Sequence, residues 1–172
     1  MNNNLTPKIY VACLAAYNSG FLHGNWIDAT QDAQTIYDEI STILAKSPCP
    51  NAEEWAIHDF EDFGSVHIGE SESINFIVEI AAFITEHGEL GAELMNYYHD
   101  IDTARDALED CYQGEFDSEL SFAQGLFDEC YADSIPESIS SYIDYDSFAR
   151  DLFLDGYISF EVNHKVHVFS MH

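Results

Sequence analysis

The apolar positions in the first third of the chain predict a small antiparallel sheet with one helix. Residues 9–17 are apolar almost without interruption and include β-branched and aromatic members, as in a buried strand. Thr30 is a suitable N-cap for a helix that continues to about Ala45 with apolar residues at helical spacing. The predicted strands are residues 9–17, 25–29, 54–60 and, more weakly, 63–68. This section forms a predicted N-terminal α+β domain, residues 1–66.

The next section has a helical pattern. Residues 72–86 are apolar nearly all round, which indicates a buried central helix, and Gly88 ends it. Residues 90–98 and 103–112 predict two further helices, the second capped by Thr103 or Asp102. We therefore expect a central helical domain, residues 67–103.

Mixed structure returns in the last section, a predicted C-terminal α+β domain of residues 104–172. Pro136 suits the first turn of a helix, and Gly156 ends another. The predicted helices are residues 118–131, 136–142 and 144–154, and the predicted strands are 157–162 and 166–169, joined by a hairpin at 163–165. The expected fold class is α+β, an elongated chain of three small domains.

The net charge of the chain adds most to the picture given by the apolar pattern. The chain has 32 acidic residues against 5 Lys and Arg, a net charge of −27, yet 47% of its residues are hydrophobic and 14% aromatic. A disordered acidic tail lacks such apolar content, so the composition predicts folded domains with a highly acidic surface. Repulsion among the charges favours an elongated shape. The same charge is carried by roughly 46 Å of B-DNA, or about 13–14 base pairs.

This charge excludes direct nucleic-acid binding and anionic membrane surfaces, because both require basic residues on the protein. A basic protein, a divalent cation or a salt-rich cytoplasm remains; a salt-loving host predicts the same acidity with fewer bulky aromatics. Absence of a membrane-spanning run or signal-peptide pattern predicts a cytoplasmic protein. The four cysteines form no C-x-x-C pair and are expected to be reduced core thiols.

Candidate metal and catalytic motifs fail on spacing. Residues 100–102 and 144–146 each begin as an EF-hand loop does, but neither has the oxygen ligand at position 5 or the glycine at position 6. His164 and His167 lie in a predicted hairpin without a second ligand pair. Nucleophile and phosphate-loop motifs are absent, and 32 acids make a chance carboxylate pair certain. We expect no enzyme, no metal and no cofactor.

Carboxylates on the predicted helices form stripes. Glu72, Glu79 and Glu86 fall within about 40° of one another at 100° per residue, with a step of about 10.5 Å per seven residues. That step is of the order of DNA groove dimensions, so the stripes can imitate phosphates in the DNA channel of a basic enzyme. The favoured stand-ins are Glu72, Glu79, Glu86, Asp106, Glu109, Asp110, Asp144, Asp151 and Asp155. The alternative is an acidic interaction protein that sequesters another basic DNA-binding protein.

Several motifs resemble the ArdA antirestriction proteins over residues 9–169. The N-terminal motif is LAAYNSGFLHGNWIDA, residues 14–29, preceded by Ile9-Tyr10-Val11. The others are Tyr112-Gln113-Gly114, Phe122-Ala123, Ile135-Pro136-Glu137, YIDY at 142–145, Ala149-Arg150-Asp151-Leu152 and the segment 166–169. Within the N-terminal motif, Gly20 and Gly24 are expected to permit a tight turn, and Trp26 and Ile27 to fill the first core.

The resemblance implies an inhibitor encoded by conjugative plasmids, transposons or phages that blocks type I restriction–modification enzymes by mimicking bent B-DNA. It also implies three domains in a line and a homodimer formed through the C-terminal domain. Such a dimer carries the charge of roughly 92 Å or about 27 base pairs of duplex, which suits the methyltransferase core of a type I enzyme. The possible dimer interface comprises Tyr131, Ser134, Ile135 and Pro136.

Overall fold

The computed structural model describes residues 5–171, which form an α+β fold with two three-stranded antiparallel sheets and seven α-helices. The predicted α+β class is therefore confirmed. The chain divides into two compact units, Met1–Ile101 and Asp102–His172. The arrangement as three domains with boundaries at 66 and 103 stays a prediction.

The first unit is built on a sheet of strand order β2-β1-β3. The strands are β1 (Lys8–Cys13), β2 (Gly24–Asp28) and β3 (Trp55–Glu61). In the central strand, Ile9 lies opposite Ile27 of β2 and Phe60 of β3. The pairing of β1 with β3 is irregular, because Tyr10 lies opposite Asp59 whereas the next residue, Val11, lies opposite Ile57. This bulge leaves His58 as an extra residue on β3.

Strand β2 alternates between the core and the outer face of the sheet. Ile27 is 1% exposed, whereas Trp26 is 36% exposed and contacts Tyr10 edge-on, with ring centroids 5.5 Å apart. Successive side chains of a strand point to opposite faces, so these neighbours cannot both enter one core. The prediction that both fill the first core is confirmed for Ile27 and wrong for Trp26.

Only the first part of the apolar run at residues 9–17 forms a strand. Strand β1 ends at Cys13, and the run continues as the short helix α1 (Leu14–Asn18). The backbone N–H groups of Ser19 and Phe21 both donate to the carbonyl of Ala16, which closes the turn after α1. Both the strand and the helix bury apolar residues here, so hydrophobicity alone does not distinguish them. The predicted strand over residues 9–17 is therefore correct only to Cys13.

Helix α2 (Ala33–Ala45) packs on the sheet with Ile36, Ile40 and Ile43 buried. Its N-cap is Asp32, whose carboxylate accepts a hydrogen bond from the Thr35 backbone N–H at 3.0 Å. The predicted N-cap at Thr30 is wrong, because Thr30 instead donates its own N–H and hydroxyl to Asp28.

Residues 63–68 form no strand although three of their side chains are buried. Phe63, Val66 and Ile68 face the core, while the chain turns at Asp62 and Gly64, both with positive φ. Two residues in the left-handed region interrupt an extended conformation, so the weak strand predicted over 63–68 is wrong.

Helix α3 (Ile74–Tyr98) completes the first unit and is interrupted at Gly88, whose φ of 63° and ψ of −146° are non-helical. The predicted end of the first helix at Gly88 and the predicted helix over 90–98 are therefore confirmed. The two halves bury residues spaced three and four apart, including Ile77, Ile80 and Ile84.

The second unit contains a sheet of strand order β4-β6-β5. After α4 (Ile101–Asp106), one π-helical turn, Ala107–Cys111, leads into β4 (Tyr112–Phe116), which the sequence pattern did not predict. Strands β5 (Tyr157–Val162) and β6 (Lys165–Ser170) form the predicted hairpin. Its two turn residues, Asn163 and His164, both have positive φ, as a tight hairpin turn requires.

Helices α5 (Glu119–Cys130), α6 (Glu137–Ser140) and α7 (Tyr145–Asp155) complete this unit. Phe122 of α5 lies at the centre of an aromatic cluster with Phe116, Phe153 and Tyr157. The helix predicted over 136–142 is shorter than expected.

All four cysteines are free thiols. Cys13 is buried, but Cys130 is exposed at the end of α5. The prediction of four core thiols is therefore wrong for Cys130.

Candidate interaction surface

The acidic side chains all remain at the surface. None of the 32 aspartates and glutamates, each of which lies within residues 5–171, is buried, and most are exposed. Charged groups avoid burial because desolvation costs several kcal/mol unless a partner compensates for it. With 5 lysines and arginines in the chain, partners are scarce. The carboxylates are therefore available to an external cation or basic protein.

In the first unit, two of the three predicted stripe glutamates lie on one helix. Glu79 and Glu86 are exposed on α3 before its interruption at Gly88. Their seven-residue separation corresponds to about 10.5 Å along the helix axis. Glu72 precedes the N-cap Ser73 and is half-buried, and its carboxylate accepts a hydrogen bond from the Ser73 backbone N–H at 3.1 Å. The prediction that all three share one helix is wrong for Glu72.

Three of the predicted carboxylates lie close together in sequence near the start of the second unit. Asp106 ends α4, and Glu109 and Asp110 lie in the π-helical turn that follows. All three side chains are exposed. Because a π turn is wider than an α turn, the angular positions predicted for a regular helix do not apply here.

Asp144 is held by its neighbour Ser147 at the start of α7. Its carboxylate accepts hydrogen bonds from the Ser147 backbone N–H at 3.0 Å and from the Ser147 hydroxyl at 2.7 Å. These bonds, the backbone one first, lower the pKa of Asp144 below its usual 3.8. The residue therefore serves as an N-cap and as a carboxylate that stays ionised in mild acid.

Asp151 and Asp155 lie on the same helix and differ in surroundings. Asp151 receives two hydrogen bonds from the guanidinium of Arg150, each at 3.2 Å, which offsets part of its charge. Other exposed ion pairs join Arg105 to Asp102 and Lys165 to Asp117. Exposed pairs of this kind contribute only about 0–1 kcal/mol each. Asp155 is exposed at the end of α7.

The predicted interface residues belong to an exposed segment, residues 131–142, that joins α5 to α7. Tyr131 packs its ring against Phe127 and Phe148 yet is 50% exposed. Ser134 and Pro136 are exposed, and Ile135 is half-buried. Farther along, Ile139 is 49% and Tyr142 83% exposed. Large apolar side chains exposed in one segment are typical of contact surfaces, and the dimer interface placed here stays a prediction.

Residues 5–171 contain no cluster of three or more His, Cys, Asp or Glu side chains arranged to hold a metal ion. Within the same residues, no helix is both long enough and apolar enough to cross a bilayer.

The fold and the exposed carboxylates define a small, acidic α+β protein of two sheets. The model of the ArdA antirestriction protein family matches residues 9–166, nearly the whole chain. The chain therefore belongs to the ArdA antirestriction family, and the resemblance drawn from its motifs is confirmed. No curated protein matches the chain. Membership implies an antirestriction function and an interaction with type I restriction enzymes, in a family of inhibitors rather than of known enzymes.

Proposed function

We propose that this protein inhibits type I restriction–modification enzymes by placing its carboxylates where the enzyme holds DNA phosphates. The observation that carries the proposal is the exposure of an unbalanced charge. None of 32 acidic residues is buried, and only 5 lysines and arginines oppose them. A surface of this kind can bind in a basic DNA-binding groove as the duplex does, through contacts with many cationic side chains.

The binding free energy is spread over many carboxylates. Exposed Glu79, Glu86, Asp106, Glu109 and Asp110 are distributed over three elements, and each contributes a small electrostatic term of about 0.2–1 kcal/mol. Steering by the summed field makes association fast. The target within the type I enzyme is its methyltransferase core, and the inhibitor acts in the cytoplasm on behalf of an incoming mobile element.

A homodimer formed through the exposed 131–142 segment doubles the charge. Two chains carry the charge of roughly 92 Å of duplex, or about 27 base pairs, enough for an enzyme that contacts two separated DNA half-sites. Support comes from the exposed side chains of Tyr131, Ile139 and Tyr142, which a second chain can cover. In this proposal each chain consists of three small domains in a line.

The test is competition at fixed salt concentration. A type I methyltransferase core is loaded on fluorescent DNA that contains its recognition site, and displacement is followed as this protein is added. We expect stoichiometric displacement near one dimer per core at nanomolar concentration. Failure to displace DNA, with folding verified by circular dichroism, contradicts the proposed target. It favours instead a different basic DNA-binding protein, which a pull-down would then identify.

A further inference from the structure

A cavity of about 440 Å³ lies beside strand β3 in the first unit, and its described lining includes none of the predicted carboxylate stand-ins. Its walls contain four rings, those of Tyr17, His58, Phe60 and His67, and two carboxylates, Asp59 and Glu70. Ile57 and Ile68 complete the lining. The cavity is open to solvent, since Tyr17, Asp59, His67 and Glu70 in its lining are exposed, and its volume is within the range of small-molecule sites, about 300–1,000 Å³.

Three features of the backbone assemble this cavity. Helix α1 carries Tyr17 next to β3, because the Leu14 N–H donates to the Glu54 carbonyl at 3.0 Å. The bulge in the pairing of β1 with β3 inserts His58 as the extra residue, and bulges re-aim side chains in this way. After the turn at residues 62–66, the chain returns along β3, where the Ile57 N–H donates to the Glu70 carbonyl at 2.9 Å.

The rings are held in defined pairs. Tyr17 and His58 meet edge to face, with centroids 4.7 Å apart at 81°, and Phe60 and His67 do so at 5.3 Å and 83°. The His58 Nε2 atom lies 3.7 Å from a Glu70 carboxylate oxygen. Of these four rings, the aromatic faces of Tyr17 and Phe60 carry the negative potential that attracts a cation.

The chemistry of the lining selects a cation. Aromatic faces and carboxylates both attract positive charge, and among the described lining residues none is a lysine or arginine. A guanidinium suits this combination better than an ammonium, because its plane stacks on a ring while its N–H groups pair with a carboxylate. We infer that this cavity binds an arginine side chain of the protein partner.

This inference rests on the proposed function, since an enzyme that binds DNA phosphates presents arginines in its groove. It assigns a contact role to Tyr17, a residue of the N-terminal family motif, whose ring is 53% exposed. The stripes supply a diffuse electrostatic attraction, whereas the cavity supplies a single site for one side chain. The contact made by the N-terminal unit then fixes the position of the inhibitor along the DNA-binding groove of its target.

The first experiment uses the whole protein and two probes. N-acetyl-arginine amide is titrated while the ring resonances of Tyr17, His58 and His67 are followed by NMR, and N-acetyl-citrulline amide is the uncharged probe of similar shape. We expect saturable shifts with the arginine probe alone. Equal shifts with both probes, or arginine-induced shifts spread over the acidic surface without saturation at these rings, overturn the inference.

Matched variants locate the site. Tyr17→Ala removes a cavity wall, whereas Tyr37→Ala removes an exposed tyrosine of the same unit that lies outside the lining. Glu70→Gln and Glu53→Gln form the corresponding carboxylate pair. We expect Tyr17→Ala and Glu70→Gln to weaken arginine-probe binding by about threefold or more, with no change in the two controls. Equal affinities in Tyr17→Ala and Tyr37→Ala overturn the inference.

The second experiment separates this inference from the proposed function. In the displacement assay, Tyr17→Ala is expected to require about threefold or more protein than Tyr37→Ala for half-displacement. If wild-type protein displaces DNA and the two variants are equal, the arginine contact is wrong and the proposed function stands. If wild-type protein displaces no DNA, the proposed function is wrong, and the probe titration alone decides whether the cavity binds a guanidinium.

Discussion

At the scale of single residues, Asp144 combines structure with charge. The two hydrogen bonds from Ser147 stabilise its ionised form and cap α7 at the same time. Because these bonds lower its pKa in the folded protein, protonation in acid weakens the cap. The stabilising contribution is complete above the unfolded value, near 3.8, and is lost as the pH falls through the lower pKa of the folded state.

Removal of the Ser147 hydroxyl tests this coupling. Ser147→Ala deletes one of the two hydrogen bonds, so the pKa of Asp144 is expected to rise toward 3.8 while remaining below it. The measurement is a carboxyl ¹³C NMR titration of the wild-type protein and the variant. Ser138→Ala, an exposed serine of α6, is the control. An Asp144 midpoint that is unchanged by Ser147→Ala contradicts the assigned cause.

At the scale of elements, the interruption of α3 depends on the backbone of Gly88. Its φ of 63° and ψ of −146° lie in a region that only glycine populates readily. A Cβ atom at Gly88 meets no heavy atom within 4 Å, and the same holds at Gly125 in α5, where φ is not positive. The two glycines therefore differ in backbone conformation and not in available space.

Alanine substitution at these glycines is predicted to have opposite effects. Gly88→Ala lowers the free energy of unfolding by about 1–3 kcal/mol, because a side chain strains this conformation. Gly125→Ala raises it by about 0.5–1 kcal/mol, because alanine loses less backbone entropy in a helix. Urea denaturation followed by circular dichroism measures both. Stabilisation by Gly88→Ala would show that α3 can continue through residue 88 as a regular helix.

Local signals predicted the helix ends at Gly88 and Gly156 and the final hairpin, but not the short helix α1, the N-cap of α2 or the π-helical turn before β4. Gly88 and Gly156 are visible in the sequence because they act on adjacent backbone. Features that depend on distant partners were missed. Strand β4 contains Gly114 at a φ of 123° and exists through pairing with β6, more than fifty residues away. The cavity beside β3 likewise needs Tyr17, a bulge at His58 and the return of residues 66–70, which no local pattern encodes.

At the scale of the whole molecule, the proposed inhibition depends on the number of charges rather than on any one of them. Glu79→Gln alone is expected to weaken displacement of DNA by less than about fivefold, since one exposed pair contributes about 0.2–1 kcal/mol. A combined substitution is expected to weaken it by about tenfold to a thousandfold and to reduce its salt dependence. The residues to be changed to amides together are Glu79, Glu86, Asp106, Glu109, Asp110 and Asp155.

The matched control for the combined variant is the amide substitution of six other exposed acids. These are Asp38, Glu53, Glu61, Asp128, Glu129 and Glu161. Both variants have the same net charge, so equal loss of inhibition would show that total charge matters and that the stripes do not. Abolition of inhibition by one aspartate-to-asparagine change would contradict the distributed mechanism.

The exposed 131–142 segment also has a consequence for how long the inhibitor survives. Between α5 and α7 the chain contains only a three-residue 3₁₀ turn and the four-residue α6, with Tyr142 83% exposed. Chymotrypsin is therefore expected to nick the monomer at this segment. Trypsin, which finds no lysine or arginine between Arg105 and Arg150, provides the control.

If the segment is buried in a dimer, cleavage slows as the protein concentration rises, which gel electrophoresis of timed digests measures. A cleavage rate independent of protein concentration contradicts burial of this segment.

If the segment is buried in a dimer, the rate at which the cell degrades the inhibitor depends on the concentration of the inhibitor itself. Under the proposed function, inhibitor made in quantity by an incoming element would be paired and protected. As synthesis declines and cell division dilutes the pool, single chains would become substrates for host proteases. Restriction would then recover without any dedicated signal.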